Sequence, residues 1–543
     1  MTLQPILSSP DQSASTSSNV PGKHRQRAVF WEAGMLGVIL LVALLLRLWH
    51  LSAVTDNYDE GVYWSSLRAM YAGHGLFTPV FSSQPPFFLL SLYPLVALLG
   101  PTQMAARLGV VLLSLVSILG MYLLARRLGG PWAGLGAALL LASDPLYLIQ
   151  SQTIDAEVPS VAFLIVAVAA AAYADRYPWQ AALISGAATA LAILEKLFAV
   201  AALAAILPLF VGHLLAFERT QLSLKEQEPP HSMLARLRMP QRQTLKRAAV
   251  LAGAYLLGLA LAGMLIFLPY LHELQSAYQQ VIAFHLAADQ SYASTLSQNP
   301  QILLGVTTEY PLAILALCGI VLGLFRRRRH VLLVIIWIVV VLIILLRQAP
   351  LFTRHLVLLV PVLALSVALG FAPEVQTWAA EARALGTRLQ HIRPGWATRA
   401  SKALLIGAPV LLLAGLFFNN LYNLLLYPLG PIPTAPQVSQ VASDLQRLTT
   451  PQQQVITDDQ YIAALANRDV PPELVDTSDV RIVTGYLTAE QVITLAEQPQ
   501  VGAVLFYTGR LDKLPGVRAW VEQHFHLARS YGKGQDLYLR AGP

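Results

Sequence analysis

Carboxylate side chains occur in two short polar stretches that border apolar runs. They are Asp59 and Glu60 in TDNYDEGVYW, and Asp155 and Glu157 in SQTIDAEVPS. An ionised carboxylate held at a membrane surface can act as a general base, whereas an isolated loop carboxylate is more often only a solvated charge. Two pairs beside aromatic side chains favour a functional site. The aromatic neighbours of the first pair are Tyr58, Tyr63 and Trp64.

A short helix is predicted to begin at the first pair. Tyr63, Leu67 and Met70 have the i, i+4, i+7 spacing of one apolar helix face, so GVYWSSLRAMYAG is expected to form a surface helix. Asp59 lies near the N-terminus of this helix, where the helix dipole stabilises negative charge. The Pro-Pro turn in FSSQPPFFLL then presents Gln84 at the membrane interface.

Composition indicates that these stretches belong to a polytopic α-helical membrane protein. Of 543 residues, 55% are hydrophobic and 12% are charged, and the mean hydropathy is +0.55. Soluble domains carry about twice that charged share, and many apolar runs here reach about 20 residues, the length of a membrane-spanning helix. The single cysteine, Cys318, excludes an intrachain disulfide and a cysteine metal cluster. The net charge of +7 is concentrated in loops and does not indicate nucleic acid.

The basic loops predict the topology. Segments 223–247, 326–330 and 374–402 are rich in lysine and arginine, so we expect them in the cytoplasm with a disordered N-terminal tail, residues 1–28. Run 85–100 is short and contains Pro94, which favours a helix on the outer surface over a span. Both carboxylate pairs then lie at the outer face. The membrane domain, 29–428, has eleven predicted spans, at 29–51, 105–126, 131–150, 157–174, 179–195, 197–217, 248–270, 302–325, 331–346, 356–372 and 403–425.

Residues 430–543 lose the membrane composition. Short β-like runs, QQVIT, VRIVTGY, GAVLFY and LYLR, alternate with helical patterns near 459–467, 488–497 and 515–525. About 110 residues suffice for one small α/β domain, and the topology places this domain outside the cytoplasm.

Basic side chains at the outer face are few, and each is a candidate to bind an anion such as a phosphate. Lysine and arginine side chains can also extend to the lipid headgroups (snorkelling), which is the interpretation we favour for Arg347. Glu309 lies in an apolar run and is therefore a functional candidate or a partner for one of these cations. The candidate cations are Arg68, Arg107, Lys196, Arg354 and His355.

The order of these elements resembles the GT-C superfamily of polytopic glycosyltransferases, and within it the protein O-mannosyltransferases and the aminoarabinose transferase that modifies lipid A. The resemblance covers roughly residues 29–370. It rests on the acidic pair, the Pro-Pro turn, ARRLGG, ASDPLYLIQSQTIDAEVPSVAF, ALAILEKLFAVAAL and RHLVLLVPVLAL. The C-terminal segment also resembles the soluble extracytoplasmic tail of bacterial members.

The resemblance implies that a sugar, hexose or pentose, moves with inversion from a polyprenyl-phosphate donor to a lipid, glycan or protein acceptor. The acceptor group would be a hydroxyl, an amine or a phosphate. Asp59 matches the family's catalytic acid in the first outer loop, which would deprotonate the acceptor, and Glu60 completes the pair. Tyr58, Tyr63 and Gln84 would position the substrate beside them.

The resemblance also implies the residues that bind the donor phosphate. Asp155, with Glu157 beside it, matches an acidic position that shapes the acceptor or metal site, while Lys196 and Arg354 match side chains that grip the phosphate. His355 stands where an aromatic residue is common. Gln84 replaces a frequent Lys or His and supplies no charge, and Arg107 is a further candidate for the phosphate. The metal requirement varies within the superfamily, so a divalent cation stays open.

Two other functions stay open. A transporter or flippase of envelope glycan precursors would have its polar site near the membrane midplane, often on broken helices. Here most unusual charges lie at one surface, and only Glu309 is deep. A non-catalytic assembly subunit that binds cell-wall material is the second alternative. The sequence has no credible G-x-G-x-x-G or P-loop motif at a strand–helix junction that would indicate a nucleotide site.

Overall fold

The computed structural model describes residues 21–372 and 436–540, apart from 56, 227–232, 310 and 326–329. The predicted eleventh span and the basic loop 374–402 lie outside the described residues, as does most of the N-terminal tail.

Helices dominate the membrane part of the chain, as its composition predicts. A further helical segment, Thr353–Ala372, begins with a 3-10 turn over Thr353–Leu358. The α-helices before it are α1 (Pro21–Leu48), α2 (Tyr58–Tyr71), α3 (Pro86–Leu99), α4 (Gln103–Gly129), α5 (Pro131–Ser143), α6 (Pro145–Gln150), α7 (Glu157–Ala172), α8 (Pro178–Glu195), α9 (Leu203–Glu226), α10 (Met233–Phe267), α11 (Leu274–Tyr278), α12 (Phe284–Ser291), α13 (Asn299–Glu309), α14 (Pro311–Phe325) and α15 (His330–Arg347).

Six of the described helices are long and apolar enough to cross a membrane, so the chain is a multi-pass membrane protein. Each coincides with a predicted span, and shorter apolar helices occupy three further predicted spans, at Pro131–Ser143, Glu157–Ala172 and Leu312–Phe325. The count of eleven stays a prediction. The six long helices are Val29–Leu48, Gln103–Gly129, Leu197–Gln221, Arg242–Ser291, His330–Arg347 and Thr353–Ala372.

One run that the sequence predicts as a single span is divided in the structure. Run 131–150 breaks at Asp144, which has extended backbone angles (φ −63°, ψ 125°) and whose carboxylate accepts a hydrogen bond from the Tyr147 N–H. The break follows because a residue before proline is disfavoured in the helical conformation, and Pro145 comes next. Run 302–325 contains α13 and α14 on either side of residue 310, which lies outside the described residues.

The predicted helix after the acidic pair is confirmed as α2. The side chain of Asn57 caps it by accepting a hydrogen bond from the Glu60 N–H at 3.3 Å, which places Asp59 and Glu60 in the first turn. Helix α3 contains 14 residues and is about 21 Å long, less than the hydrocarbon thickness of a bilayer. It packs on α2, α4 and α8. Its position on the outer surface stays a prediction.

Residues 436–540 form a four-stranded sheet with helices around it. The strand order is β1-β2-β4-β3; β1 and β2 are parallel and the other neighbours are antiparallel. The strands are β1 (Gln454–Thr457), β2 (Val501–Phe506), β3 (Phe525–Gly532) and β4 (Gln535–Arg540). The helices are α16 (Pro436–Leu448), α17 (Gln460–Leu465), α18 (Asp479–Val483), α19 (Ala489–Ala496) and α20 (Val517–His524).

Three of the four predicted β-like runs are confirmed as strands β1, β2 and β4. The prediction for VRIVTGY is wrong, because this run forms α18. Ser478 caps that helix by accepting from the Arg481 N–H at 3.3 Å, so local capping outweighs the strand preference of the β-branched residues. Strand β3 has no counterpart in the sequence prediction, because it is a mostly exposed edge strand with polar side chains.

The C-terminal region lies directly on α2. A Cβ atom at Gly61 would lie 2.4 Å from the backbone nitrogen of Tyr461, so only glycine permits this approach. The Tyr461 hydroxyl accepts hydrogen bonds from the Thr55 N–H at 2.8 Å and from Gln103 Nε2 at 2.7 Å. The helix that carries Asp59 is therefore packed between the membrane part and the C-terminal region.

Candidate active site

A cavity of about 1230 Å³ is lined by both the membrane part and the C-terminal region. Parts of the chain that are far apart in the sequence contribute to its wall. Within the predicted first outer loop, residues 55–63 and residues 83–84 both contribute. The predicted site residues that line it are Tyr58, Asp59, Tyr63, Gln84, Lys196, Arg354 and His355.

Arg354 lies between the two acidic stretches. Its Nη1 is 2.5 Å from Asp59 Oδ2, and its Nε is 3.6 Å from Asp155 Oδ2 and 3.6 Å from Glu157 Oε1. The Phe352 ring lies 4.5 Å from the guanidinium carbon. The structure thus brings together the carboxylates that the sequence places in separate loops. Asp59 remains 28% exposed, so a molecule in the cavity can reach its carboxylate.

Asp155 and Glu157 form a buried pair behind the cavity wall. Glu157 accepts a hydrogen bond from Lys196 Nζ, and His355 Nε2 is 3.6 Å from its Oε1. Burial, followed by the charge of Glu157, raises the pKa of Asp155 well above the usual range of an aspartate. Asp155 therefore keeps its proton at pH values where an exposed aspartate is ionised.

This pair is better suited to hold cationic side chains than a metal ion. Among the residues that the structure describes, no group of three or more His, Cys, Asp or Glu side chains is arranged to hold a metal. Lys196 and Arg354 contact or approach Glu157, and their positive charges would repel a divalent cation at this position.

Glu60 and Arg107 do not line the cavity with the other candidates. Both side chains are fully buried. Glu60 Oε1 accepts from Arg107 Nε at 2.6 Å and from the Ile154 N–H at 3.2 Å, while Oε2 accepts from Arg107 Nη2 at 2.7 Å and from Thr55 Oγ1 at 2.8 Å. The pair thus joins α2, α4 and the loop that carries Asp155. Neither side chain lines the cavity, so their roles in a reaction stay predictions.

The remaining predicted residues differ in their surroundings. Burial, followed by the nearby carboxylates, raises the pKa of Tyr63 well above that of a free phenol, so its hydroxyl stays a hydrogen-bond donor. Gln84 is 8% exposed, at the cavity wall. Arg68 pairs with Asp469 at 2.8 Å, away from the cavity. Glu309 is the last residue of α13, and its side chain lies outside the described part of the chain.

One face of the segment around α12 lines the cavity, although no residue of this segment was predicted to belong to the site. His285 Nδ1 donates to the Val281 carbonyl at 2.8 Å, and this bond fixes the ring at the wall. The i, i+4 spacing of His285 and Asp289 is the sequence signal that points to this face. The segment's lining residues are Phe284, His285, Ala288, Asp289, Tyr292 and Thr295.

Comparisons with known proteins agree with this architecture. Residues 83–237 match the family model described as dolichyl-phosphate-mannose-protein mannosyltransferase. The crystal structure of ArnT from Cupriavidus metallidurans bound to undecaprenyl phosphate has a TM-score of 0.57 at 14% identity, over 95% of this chain and 99% of that one. The archaeal oligosaccharyltransferase AglB from Archaeoglobus fulgidus, in complex with an inhibitory peptide and a dolichol-phosphate, has a TM-score of 0.53 at 14% identity, over 95% and 74%. No curated protein sequence matches significantly.

Proposed function

We propose that this chain, a member of the GT-C superfamily of membrane glycosyltransferases, transfers a sugar from a polyprenyl-phosphate donor to an acceptor hydroxyl. The reaction takes place at the outer face of the cytoplasmic membrane, with the N-terminus in the cytoplasm and the C-terminal region outside. The observation that carries the proposal is the accessible Asp59 carboxylate, paired with Arg354 in a cavity that Lys196 also lines.

A lipid-linked phosphate fits the cationic part of this cavity. Lys196 and Arg354 line one wall and are held from behind by Glu157, and His355 lies beside them. Cationic donors in such fixed positions stabilise the negative charge that develops on a leaving phosphate. The likeness to ArnT with undecaprenyl phosphate and to AglB with dolichol-phosphate supports a polyprenyl-type donor.

Donor binding would also release the base. In the structure Asp59 is held by Arg354, and a guanidinium forms strong paired hydrogen bonds with a phosphate. When the donor phosphate engages Arg354, the Asp59 carboxylate becomes free to accept a proton from the acceptor hydroxyl. The acceptor oxygen then bonds to the anomeric carbon as the carbon–oxygen bond to the phosphate breaks. The electron pair leaves with the polyprenyl phosphate, the proton stays on Asp59, and attack opposite the leaving group inverts the anomeric centre.

The test uses purified protein in lipid nanodiscs with a panel of polyprenyl-phosphate hexoses and pentoses. Wild type and Asp59→Asn should bind the same donor, and only wild type should consume it. Asp175→Asn is the matched control, because Asp175 also pairs with an arginine, Arg127, but does not line the cavity. This control should turn over like wild type. Equal turnover by Asp59→Asn would remove the base assignment, and failure of every donor to bind would favour a transporter or flippase.

A further inference from the structure

The C-terminal region supplies one wall of the same cavity. Asp476, Ser478, Asp479, Val480 and Arg510 line it together with Asp59. The family match ends at residue 237, so it does not extend to this wall. The wall is polar, whereas the donor's polyprenyl chain requires an apolar surface in the bilayer.

This wall is fixed relative to the base. The Tyr58 hydroxyl accepts from the Thr477 N–H at 2.9 Å and lies 3.3 Å from Asp476 Oδ1, to which it can donate. The guanidinium carbon of Arg510 lies 3.8 Å from the centre of the Tyr58 ring. Tyr58 directly precedes Asp59 in the first turn of α2, so the wall and the base belong to one connected unit.

Arg510 is held in place before any ligand binds. Its Nη1 donates to the Asp458 carbonyl at 3.3 Å. The Asp458 carboxylate in turn accepts from the N–H groups of Tyr507 at 2.7 Å, Thr508 at 3.0 Å and Leu511 at 3.3 Å. A guanidinium whose loop is anchored in this way loses little freedom when it binds a ligand.

The position of the wall points to the acceptor. The cations that suit the donor phosphate, Lys196 and Arg354, are held by Asp155 and Glu157. A base must face the acceptor, and the acceptor must approach the anomeric carbon from the side opposite the phosphate. Arg354 contacts Asp59 on the side of the donor cations, whereas Tyr58, the residue before Asp59, contacts the C-terminal wall. An acceptor that approaches Asp59 from the side of Tyr58 therefore passes along this wall.

We propose that this wall is the acceptor subsite, and that it takes the neutral, polyhydroxylated end of a saccharide. The inference rests on the function proposed above. Asp476 and Asp479 can accept hydrogen bonds from sugar hydroxyls, and Arg510 and Ser478 can donate to sugar oxygens. Asp476 Oδ2 has no hydrogen-bond partner among the described residues and is available for this purpose. Asp479 pairs with Lys513 at 2.8 Å and Arg510 offsets the charge of Asp476, so the charges at the wall nearly cancel and suit an uncharged group rich in donors and acceptors.

The test measures acceptor use with whichever donor wild type consumes. The probes are methyl hexosides, the corresponding hexose 6-phosphates and a serine-containing peptide. Arg510→Ala and Asp479→Asn should each raise the KM for methyl hexosides about tenfold and leave the donor KM unchanged, since each removes one charged hydrogen-bonding group. Arg510→Lys should lie between wild type and Arg510→Ala. Lys533→Ala and Glu490→Gln, exposed changes of charge away from the cavity, should match wild type.

Three results would overturn the inference: transfer to the hexose 6-phosphates as efficient as to the methyl hexosides, transfer to the peptide alone, or an acceptor KM that the wall variants do not change. Calorimetric binding of methyl hexosides to wild type and Arg510→Ala separates this inference from the proposed function. If no donor is consumed, the proposed function fails. Weaker hexoside binding by Arg510→Ala would still support a saccharide subsite, and equal binding by both proteins would remove it.

Discussion

Asp59 and Glu60 are adjacent in one helical turn and each pairs with an arginine, yet their surroundings differ. Glu60 is fully buried, and its oxygens accept four hydrogen bonds from Arg107, Thr55 and Ile154. Asp59 is 28% exposed and faces the cavity, where Arg354 is its ionic partner. A carboxylate with all its partners supplied inside the protein stabilises the structure, whereas an accessible one can exchange its partner for a substrate.

Residue type and position in the helix do not distinguish these two roles. Both carboxylates occupy the first turn of α2 and both have the same helix dipole beside them. The difference comes from their directions on the helix, because Glu60 points into the bundle towards α4 and Asp59 points into the cavity. Substitutions at the two ion pairs and their surroundings test this contrast.

Loss of the buried partner should have the largest effect. Arg107→Met leaves the Glu60 charge buried without its cation and should lower the free energy of unfolding by about 3–5 kcal/mol. Arg68→Met is the matched control, because Arg68 also carries an ion pair of α2, with the half-exposed Asp469. It should cost at most about 1 kcal/mol. Unfolding followed in the same detergent measures both, and equal losses would contradict the contrast between buried and exposed pairs.

The cavity arginine should affect the donor more than the fold. Arg354→Lys keeps the charge but removes the planar fork that reaches Asp59, Asp155 and Glu157, so donor affinity should fall about tenfold. Arg347→Lys, at the end of α15, makes the same change outside the cavity and should bind the donor like wild type. Donor titration in nanodiscs provides the measurement, and an unchanged affinity for Arg354→Lys would contradict its contact with the phosphate.

Loss of a contact between the C-terminal region and α2 should have a smaller effect than the changes at Arg107 and Arg354. Tyr461→Phe removes the hydroxyl that accepts from the Thr55 N–H and Gln103, and Thr55 in turn donates to Glu60. We expect a loss of about 1 kcal/mol in stability and a severalfold fall in kcat with the donor KM unchanged. Tyr531→Phe removes a hydroxyl bonded to Asp444 within the C-terminal region and should reduce stability without affecting kcat. A fall in kcat for both variants would mean that the effect is not specific to α2.

The smallest effect is expected at Asp155. Because burial and the charge of Glu157 raise the pKa of Asp155, its side chain favours the protonated form, and Asp155→Asn imitates that form. Turnover at neutral pH should change by about threefold or less. A folded-state pKa above the unfolded-state value stabilises the protein fully below the unfolded-state pKa. This contribution is lost as the pH rises from that value through the raised pKa, so Asp155→Asn should remove this loss. Unfolding midpoints across pH for both proteins provide the measurement, and a greater loss of stability with rising pH in the variant would contradict this assignment.

The sequence predicts much of the membrane part because the signals there are local. Apolar run length and the acidic pair at the start of α2 each depend on a few neighbouring residues. Pro94 does not break run 85–100, because α3 continues through it. The structure also brings Lys196 and Arg354 to the cavity of Asp59, as the resemblance leads one to expect.

The sequence could not predict the features that depend on distant partners. The burial of Glu60 depends on Arg107, 47 residues away, and on the loop at Ile154. The C-terminal wall depends on how Arg510 and Asp476 pack against Tyr58, more than 400 residues earlier in the chain. The wrong strand prediction for VRIVTGY has a local cause, since the cap at Ser478 outweighs residue preference.

The most direct test of the contrast is to measure turnover and unfolding midpoint on the same preparations of Asp59→Asn and Glu60→Gln. Loss of a general base costs about 10²–10⁴ in rate, and Asp59 lies at an accessible ion pair. We therefore predict that Asp59→Asn loses turnover by about that factor and keeps its unfolding midpoint within about 2 °C of wild type. Glu60→Gln should instead unfold at a clearly lower temperature. The opposite pattern, with Glu60→Gln stable but inactive and Asp59→Asn active, would contradict the assignment of the base.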